Sequence, residues 1–167
     1  VILSGKQDRF MPKFNYKGFQ FVEVSSSTPI QLSDENLIAV EMHSDVPIIG
    51  YWSSSSDLLN KIWKATNSSY LANLFGYPTD CPQREKNGWT GDAHIAIETG
   101  LYNFDGISIY EKWMNDFCDE QKDNGVLPCI IPTSVWGYDW ANGVDWTSAV
   151  AIIPWEIYRF YGDTTLI

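Results

Sequence analysis

The apolar pattern of this chain changes period once, near Ser53, and that change divides what the chain can fold into. Before it, Phe19-Gln20-Phe21-Val22-Glu23-Val24 alternates large apolar and polar groups, the period-two signature of a half-buried strand. Leu37-Ile38-Ala39-Val40-Glu41-Met42 is a second candidate strand, and Gly5, Gly18 and the Ser25–Pro29 run punctuate the two. After Ser53, the oxygens of Ser55, Ser56 and Asp57 suit a helix N-cap. Leu59, Ile62, Trp63, Thr66, Tyr70 and Leu74 then recur at three- and four-residue steps, which predicts a helix over 57–75 with one buried stripe, ended by Gly76-Tyr77-Pro78.

A second helix is expected to begin near Asp92, whose charge suits the positive end of the helix dipole. A third is expected to be capped by Asp105, with Ile109, Tyr110, Trp113, Met114 and Phe117 along one face. A fourth is expected around 147–161, kinked or started late because of Pro154. Residues 123–146 read as a long irregular segment rich in Trp, Gly and Pro, and loops of that length inside a compact domain tend to carry function. The expected fold class is therefore mainly α: residues 1–47 as the last strands of a β domain, too few to close a sandwich alone, and residues 48–167 as part of a helical toroid. With Val1 at one end and Ile167 closing an apolar, aromatic run at the other, the chain is expected to be a piece of a longer protein.

Charge and composition exclude several function classes. With 21 acidic and 11 basic residues the formal net charge is −10, and no Lys/Arg-rich stretch exists to bind phosphates. Nucleic acid is thus excluded as a partner, and neutral substrates fit better. No 18-residue apolar run is present, so no membrane insertion is expected. Cys81, Cys118 and Cys129 form no C-x-x-C pair, which argues against a disulfide framework and a zinc site; no metal and no cofactor are expected. Aromatics make up 15% of the chain, with eight Trp. Indoles at that frequency serve cores, and they also serve the flat apolar faces of sugar sites.

The chemistry concentrates in Asp80-Cys81-Pro82-Gln83-Arg84-Glu85-Lys86-Asn87-Gly88-Trp89-Thr90-Gly91-Asp92. Three carboxylates, one Arg and one Trp fall in a loop delivered by helix ends. Glycoside hydrolysis requires a carboxylic acid to protonate the departing oxygen and a second carboxylate to activate water or to attack. Asp80 and Asp92 are placed to support Glu85 by like-charge repulsion, which keeps an acid protonated near neutral pH, and to accept hydrogen bonds from sugar hydroxyls. Arg84 would limit that repulsion, and Trp89 offers a face to the sugar. Two other readings of the same loop stand beside this one. A solvated charged turn has the same composition. A Ca²⁺ site would use the same carboxylates, although the spacing is not that of an EF-hand and Arg84 is a poor neighbour for a cation.

Asp-Cys-Pro-Gln-Arg-Glu followed by Gly-Trp-Thr-Gly-Asp-Ala resembles the signature of the bacterial and fungal α-L-rhamnosidases of glycoside hydrolase family 78. Tyr16–Val24 resembles the strand that precedes the catalytic domain in that family, and Gly125-Val126-Leu127-Pro128, Ile153-Pro154-Trp155 and Tyr161-Gly162-Asp163 resemble later landmarks of its helical barrel. The resemblance implies a partial (α/α)6 barrel preceded by strands of a β-sandwich domain. It implies inverting hydrolysis of terminal α-L-rhamnosyl groups, with a rhamnose-containing glycan or glycoside as partner. It makes Glu85 the general acid and lines the rhamnose pocket with Asp80, Arg84, Trp89 and Asp92. The general base is a second Glu much further along the barrel, which no residue of this chain matches.

One departure from the family pattern is visible: Ser148 stands where an Asp often follows Trp-Gly, and Asp145 is a candidate to replace it. Trp136 and Trp140 are candidate pocket aromatics, with core packing as the competing assignment. His94 reads as a neighbour of the site or a surface residue, Glu98 as structural and Cys81 as packing. The alternatives to this function are another glycosidase or a sugar lyase on the same toroid, and a non-catalytic carbohydrate-binding fragment. A segment of some four helices from a closed ring leaves inner faces uncovered, so self-association is also expected.

Overall fold

The computed structural model describes residues 1–139 and 143–167. Five helices follow one another: α1 (Asp57–Ala72), α2 (Thr90–Asn103), α3 (Ile107–Glu120), the single turn α4 (Val144–Thr147) and α5 (Ala149–Tyr161). The chain is mainly helical, and the only β pairings among the described residues are three isolated antiparallel bridges, Ile48 with Phe104, Leu74 with Pro78 and Trp89 with Ile130. No described helix is long and apolar enough to cross a membrane.

The period-three-and-four stripes account for the core. Tyr110, Trp113, Met114 and Phe117 of α3 are buried as their spacing requires. They meet Ala93, Ile97 and Leu101 of α2 and Ala149, Ile153 and Ile157 of α5 in one cluster. Leu127 and Ile131 join it from the segment after α3, so that segment is irregular yet runs through the interior. The fully buried Trp113 satisfies its indole N–H on the Ile131 carbonyl at 2.8 Å, as buried indoles usually do. Pro154 lies inside α5, which starts at Ala149 after the separate turn α4. As the sixth residue of that helix, the proline costs one early i→i−4 bond and the helix continues through it. At its far end α5 closes on Gly162 in the left-handed conformation, φ 68°, whose N–H reaches the Tyr158 carbonyl.

Helix α1 differs from the expectation. It contains no buried residue, and Leu59 and Ile62 of the expected buried stripe are exposed. Only its Tyr70 side is docked. The Tyr70 ring stacks on Phe104 with centroids 5.6 Å apart, and its hydroxyl lies 2.8 Å from that of Tyr110. Gly100 of α2 makes room for this, because a Cβ there would collide with the Tyr70 ring. Trp63 adds a bond from its indole N–H to Asn103 Oδ1 at 3.0 Å.

Three further expectations are corrected. The segments 19–24 and 37–42 are not in strands; Phe19, Phe21, Val22, Ile38 and Val40 are exposed. A strand persists only where a neighbour satisfies its backbone groups, and among the described residues no second strand does so. Asp105 does not cap α3, whose N-cap is Gly106 with no side-chain bond. The Asp105 carboxylate instead accepts from the Tyr161 hydroxyl at 2.9 Å, a tertiary contact to the end of α5. Finally, α2 begins at Thr90, two residues before the expected start, with Asp92 in its first turn, where its charge still faces the positive end of the helix dipole.

Candidate active site

The segment from Asp80 to Trp89 is a loop folded on itself and then docked. Asp80 closes its base. The Asp80 N–H donates to the Asn87 carbonyl at 3.0 Å, and the Asn87 N–H returns to Asp80 Oδ1 at 2.9 Å. The other carboxylate oxygen, Oδ2, accepts from the Cys81 thiol at 2.9 Å. Cys81 Sγ in turn accepts the Glu85 N–H at 3.2 Å, so the cysteine connects the aspartate to the backbone of the glutamate. Sequence reasoning treated Cys81 as packing, and no local pattern would have revealed this bond, which exists only once the loop closes.

The far end of the loop is held from the interior. Gly88 and Ile131 pair through Ile131 N–H to the Gly88 carbonyl at 2.9 Å. Thr90, fully buried at the start of α2, donates its N–H to the Cys129 carbonyl at 2.9 Å, with its hydroxyl 3.0 Å from that carbonyl and 3.1 Å from that of Trp146. Trp89 therefore has a fixed backbone. Its indole N–H donates to Glu85 Oε2 at 2.9 Å, and its ring meets Trp146 edge-on with centroids 6.4 Å apart. A carboxylate held by an indole N–H is oriented, and Glu85 is exposed.

Asp80 and Asp92 face one cleft of about 610 Å³ between α1 and α2, together with Ser69, Tyr70, Asn73 and Thr99. That volume is in the range that holds a small ligand, and the wall mixes apolar surface with a few polar groups, as such sites do. The Asp92 carboxyl is pushed above its ordinary pKa, first by burial and then by the negative charges of Asp80 and Glu85, partly opposed by a backbone hydrogen bond and by His94. Asp92 thus senses the charges of both other acidic groups of the loop.

The structure brings some predicted residues together and separates others. Asp80 and Asp92 share the cleft; Glu85 and Trp89 form a hydrogen-bonded pair that does not line it. Arg84 is exposed and does not line it either. Trp136 is exposed, on a loop tied to the end of α3 through Thr133 N–H to Glu120 Oε1 at 3.0 Å. Trp140 lies outside the described residues. Asp145 and Ser148 do not line the cleft. The Asp145 carbonyl takes a bond from His94 Nε2 at 2.9 Å, which gives His94 a structural part beside the loop. Glu98 pairs with Arg159 at 3.0 Å, as a structural residue would.

Comparison with known proteins supplies the remaining observations. The bacterial alpha-L-rhamnosidase 6 hairpin glycosidase domain matches residues 47–167, and the bacterial alpha-L-rhamnosidase concanavalin-like domain matches residues 1–43. An α-L-rhamnosidase of Alteromonas sp. (strain LOR) is 33% identical over 160 residues, which are 95% of this chain and 17% of that protein. Among solved structures, the α-L-rhamnosidase from Dictyoglumus thermophilum is 38% identical with a TM-score of 0.69, over 74% of this chain and 14% of that one. A Streptomyces avermitilis α-L-rhamnosidase, solved in complex with L-rhamnose, is 27% identical with a TM-score of 0.65, over 74% of this chain and 12% of that one. The chain therefore spans about a sixth of the length of the relatives it matches.

Proposed function

The chain belongs to the bacterial α-L-rhamnosidases with a six-hairpin glycosidase domain, and on that premise we propose that it carries the acid side of an inverting α-L-rhamnosidase active site. Glu85 is the general acid that protonates the departing glycosidic oxygen. Asp80 and Asp92 accept hydroxyl hydrogen bonds from the rhamnosyl group in the cleft between α1 and α2. Trp89 orients Glu85 through its indole N–H; it and Arg84 stand outside the cleft wall, so a ring-face contact from Trp89 and a hydroxyl contact from Arg84 require the glycoside to extend out of the cleft toward the loop. The observation that carries this reading is the joint placement of Asp80 and Asp92 in one cleft, with Glu85 on the loop between them and held by Trp89. No second carboxylate of this chain has the part of general base. In an inverting mechanism that group activates water on the opposite face of the ring, and it belongs to the portion of the protein beyond these residues.

The domain assignment goes with this reading. Residues 1–47 belong to a β-sandwich domain, supported by the concanavalin-like match at residues 1–43, although without a pairing strand they take no β structure here. Residues 48–167 are part of an (α/α)6 barrel, supported by the six-hairpin match. A closed ring of six hairpins has about twelve helices, and the described residues of this chain supply five, one of them a single turn. Leu59 and Ile62 of α1, with Tyr51 and Trp52 from the segment before it, line an apolar groove that such a ring would cover.

One experiment with two arms tests the proposal. The full-length protein is expected to release nitrophenol from an aryl α-L-rhamnoside. The 167-residue chain alone is expected to show no turnover, and to self-associate in light scattering after size exclusion because its apolar groove is open. Absence of rhamnoside turnover by the full-length protein would sink the activity. Clear turnover by a monomeric 167-residue chain would show that the general base lies within it.

A further inference from the structure

The residue immediately after the proposed acid has a backbone conformation that its side chain does not favour. Lys86 has φ 58°, in the left-handed region; only Lys86 and Ser134 do so among the described non-glycine residues. A lysine is held there only when its surroundings over-determine it, and such positions cluster at functional sites. What holds Lys86 is not in its own loop. Its ammonium donates to the Tyr16 carbonyl at 2.7 Å and to Asn15 Oδ1 at 3.2 Å, and lies 4.6 Å from the centre of the Tyr16 ring. Two residues on, Gly18 rests on Gln83 so closely that a Cβ would come within 3.0 Å of the Gln83 Cβ and 3.2 Å of its backbone nitrogen. The Tyr16 ring packs on Phe75, just after α1, at 4.6 Å.

The segment Asn15–Gly18 is therefore clamped across the loop that bears Glu85, at Gln83 on one side of the glutamate and at Lys86 on the other. From this juxtaposition we propose that Lys86 is a positioning residue: by docking on Asn15 and Tyr16 it fixes the left-handed turn that sets the direction of Glu85, so the N-terminal segment helps aim the acid. A charged ammonium with two acceptors and a ring face is well suited to this, because it gives the turn a directional anchor where a neutral side chain would leave it free. Lys86 does not line the cleft, so its effect passes through the glutamate. The inference rests on Glu85 being the acid.

The test is a leaving-group comparison in the full-length protein. kcat/KM is measured for an alkyl rhamnoside, which needs protonation, and for a nitrophenyl rhamnoside, which needs little, in the wild type and in Lys86→Met, Lys86→Arg, Tyr16→Leu and Glu85→Gln. Misplacing an acid by about 1 Å costs up to about 100-fold, so Lys86→Met is expected to lose about 10- to 100-fold on the alkyl substrate and much less on the aryl one, mainly in kcat. Lys86→Arg is expected to restore most of the loss, and Tyr16→Leu, which weakens the same anchor from the other side, to reproduce part of it. A merely structural role would lower both substrates together. Equal losses on both, or none, with Glu85→Gln still selective for the alkyl substrate, would overturn the positioning role alone. If Glu85→Gln itself shows no leaving-group selectivity, the acid assignment falls and the role of Lys86 with it.

Discussion

Glu85→Gln in the full-length protein is expected to lower hydrolysis of rhamnosides with poor leaving groups by about 10²–10⁴-fold, the usual worth of a positioned general acid. The substitution is close to isosteric. The glutamine oxygen can still accept the Trp89 indole N–H that now reaches Oε2 at 2.9 Å, and the backbone N–H bond to Cys81 is untouched. Only the transferable proton is lost. Aryl rhamnosides with activated leaving groups depart without full protonation, so they are expected to lose much less. Steady-state kinetics on a graded series of aryl leaving groups would show the difference as a steeper dependence on leaving-group pKa. A uniform fall across the series, or no fall, would remove Glu85 from the role of acid.

Gly88→Ala is expected to destabilise the protein by about 3 kcal/mol or more, a large part of the roughly 5–15 kcal/mol that holds a typical domain together. A Cβ at Gly88 would run into the Ile131 carbonyl oxygen and approach the Tyr77 ring at 3.2 Å. That carbonyl cannot retreat freely, because it accepts the indole N–H of the fully buried Trp113, and the Ile131 N–H is bonded to Gly88. Moving the Ile131 segment breaks both bonds and strands a buried donor, which alone costs about 1–3 kcal/mol. Gly106→Ala is the matched control. There a Cβ meets only the Tyr110 ring at 3.8 Å, ordinary contact, and the expected cost at this N-cap is about 1 kcal/mol or less. Denaturant unfolding of both variants checks the pair. Equal stability of the two would mean that the loop is not wedged against the core at Ile131.

These effects also show what could be seen in the amino-acid sequence. Helical periodicity is a local property, and it located α1 and α3 to within a few residues, including the buried face of α3; the charge of Asp92 placed the start of α2 within two residues, and the helix expected around 147–161 is α5. Periodicity reports which face is apolar but not what covers it, which is why Leu59 and Ile62 were expected inside and are exposed. Alternation at 19–24 and 37–42 has the same limit, since a pleat needs a partner strand. Asp105 has a good capping side chain, yet a hydroxyl 56 residues away, on Tyr161, took the carboxylate. In the site, residue chemistry singled out Asp80, Glu85, Trp89 and Asp92, and the resemblance supplied their roles. The wiring between them was not legible. The Cys81 bridge appears only when the loop closes, and the Lys86 anchor spans 70 residues to Tyr16.

The placement of rhamnose between Asp80 and Asp92 is the claim on which the rest depends, and calorimetric titration of the full-length protein with L-rhamnose tests it most directly. A hydrogen bond to a charged group is worth about 1.5–3 kcal/mol, so Asp80→Asn and Asp92→Asn are each expected to weaken binding by roughly 10- to 150-fold. Wild-type affinity in both variants, with the fold intact by circular dichroism, would contradict the account and place the sugar elsewhere on the protein.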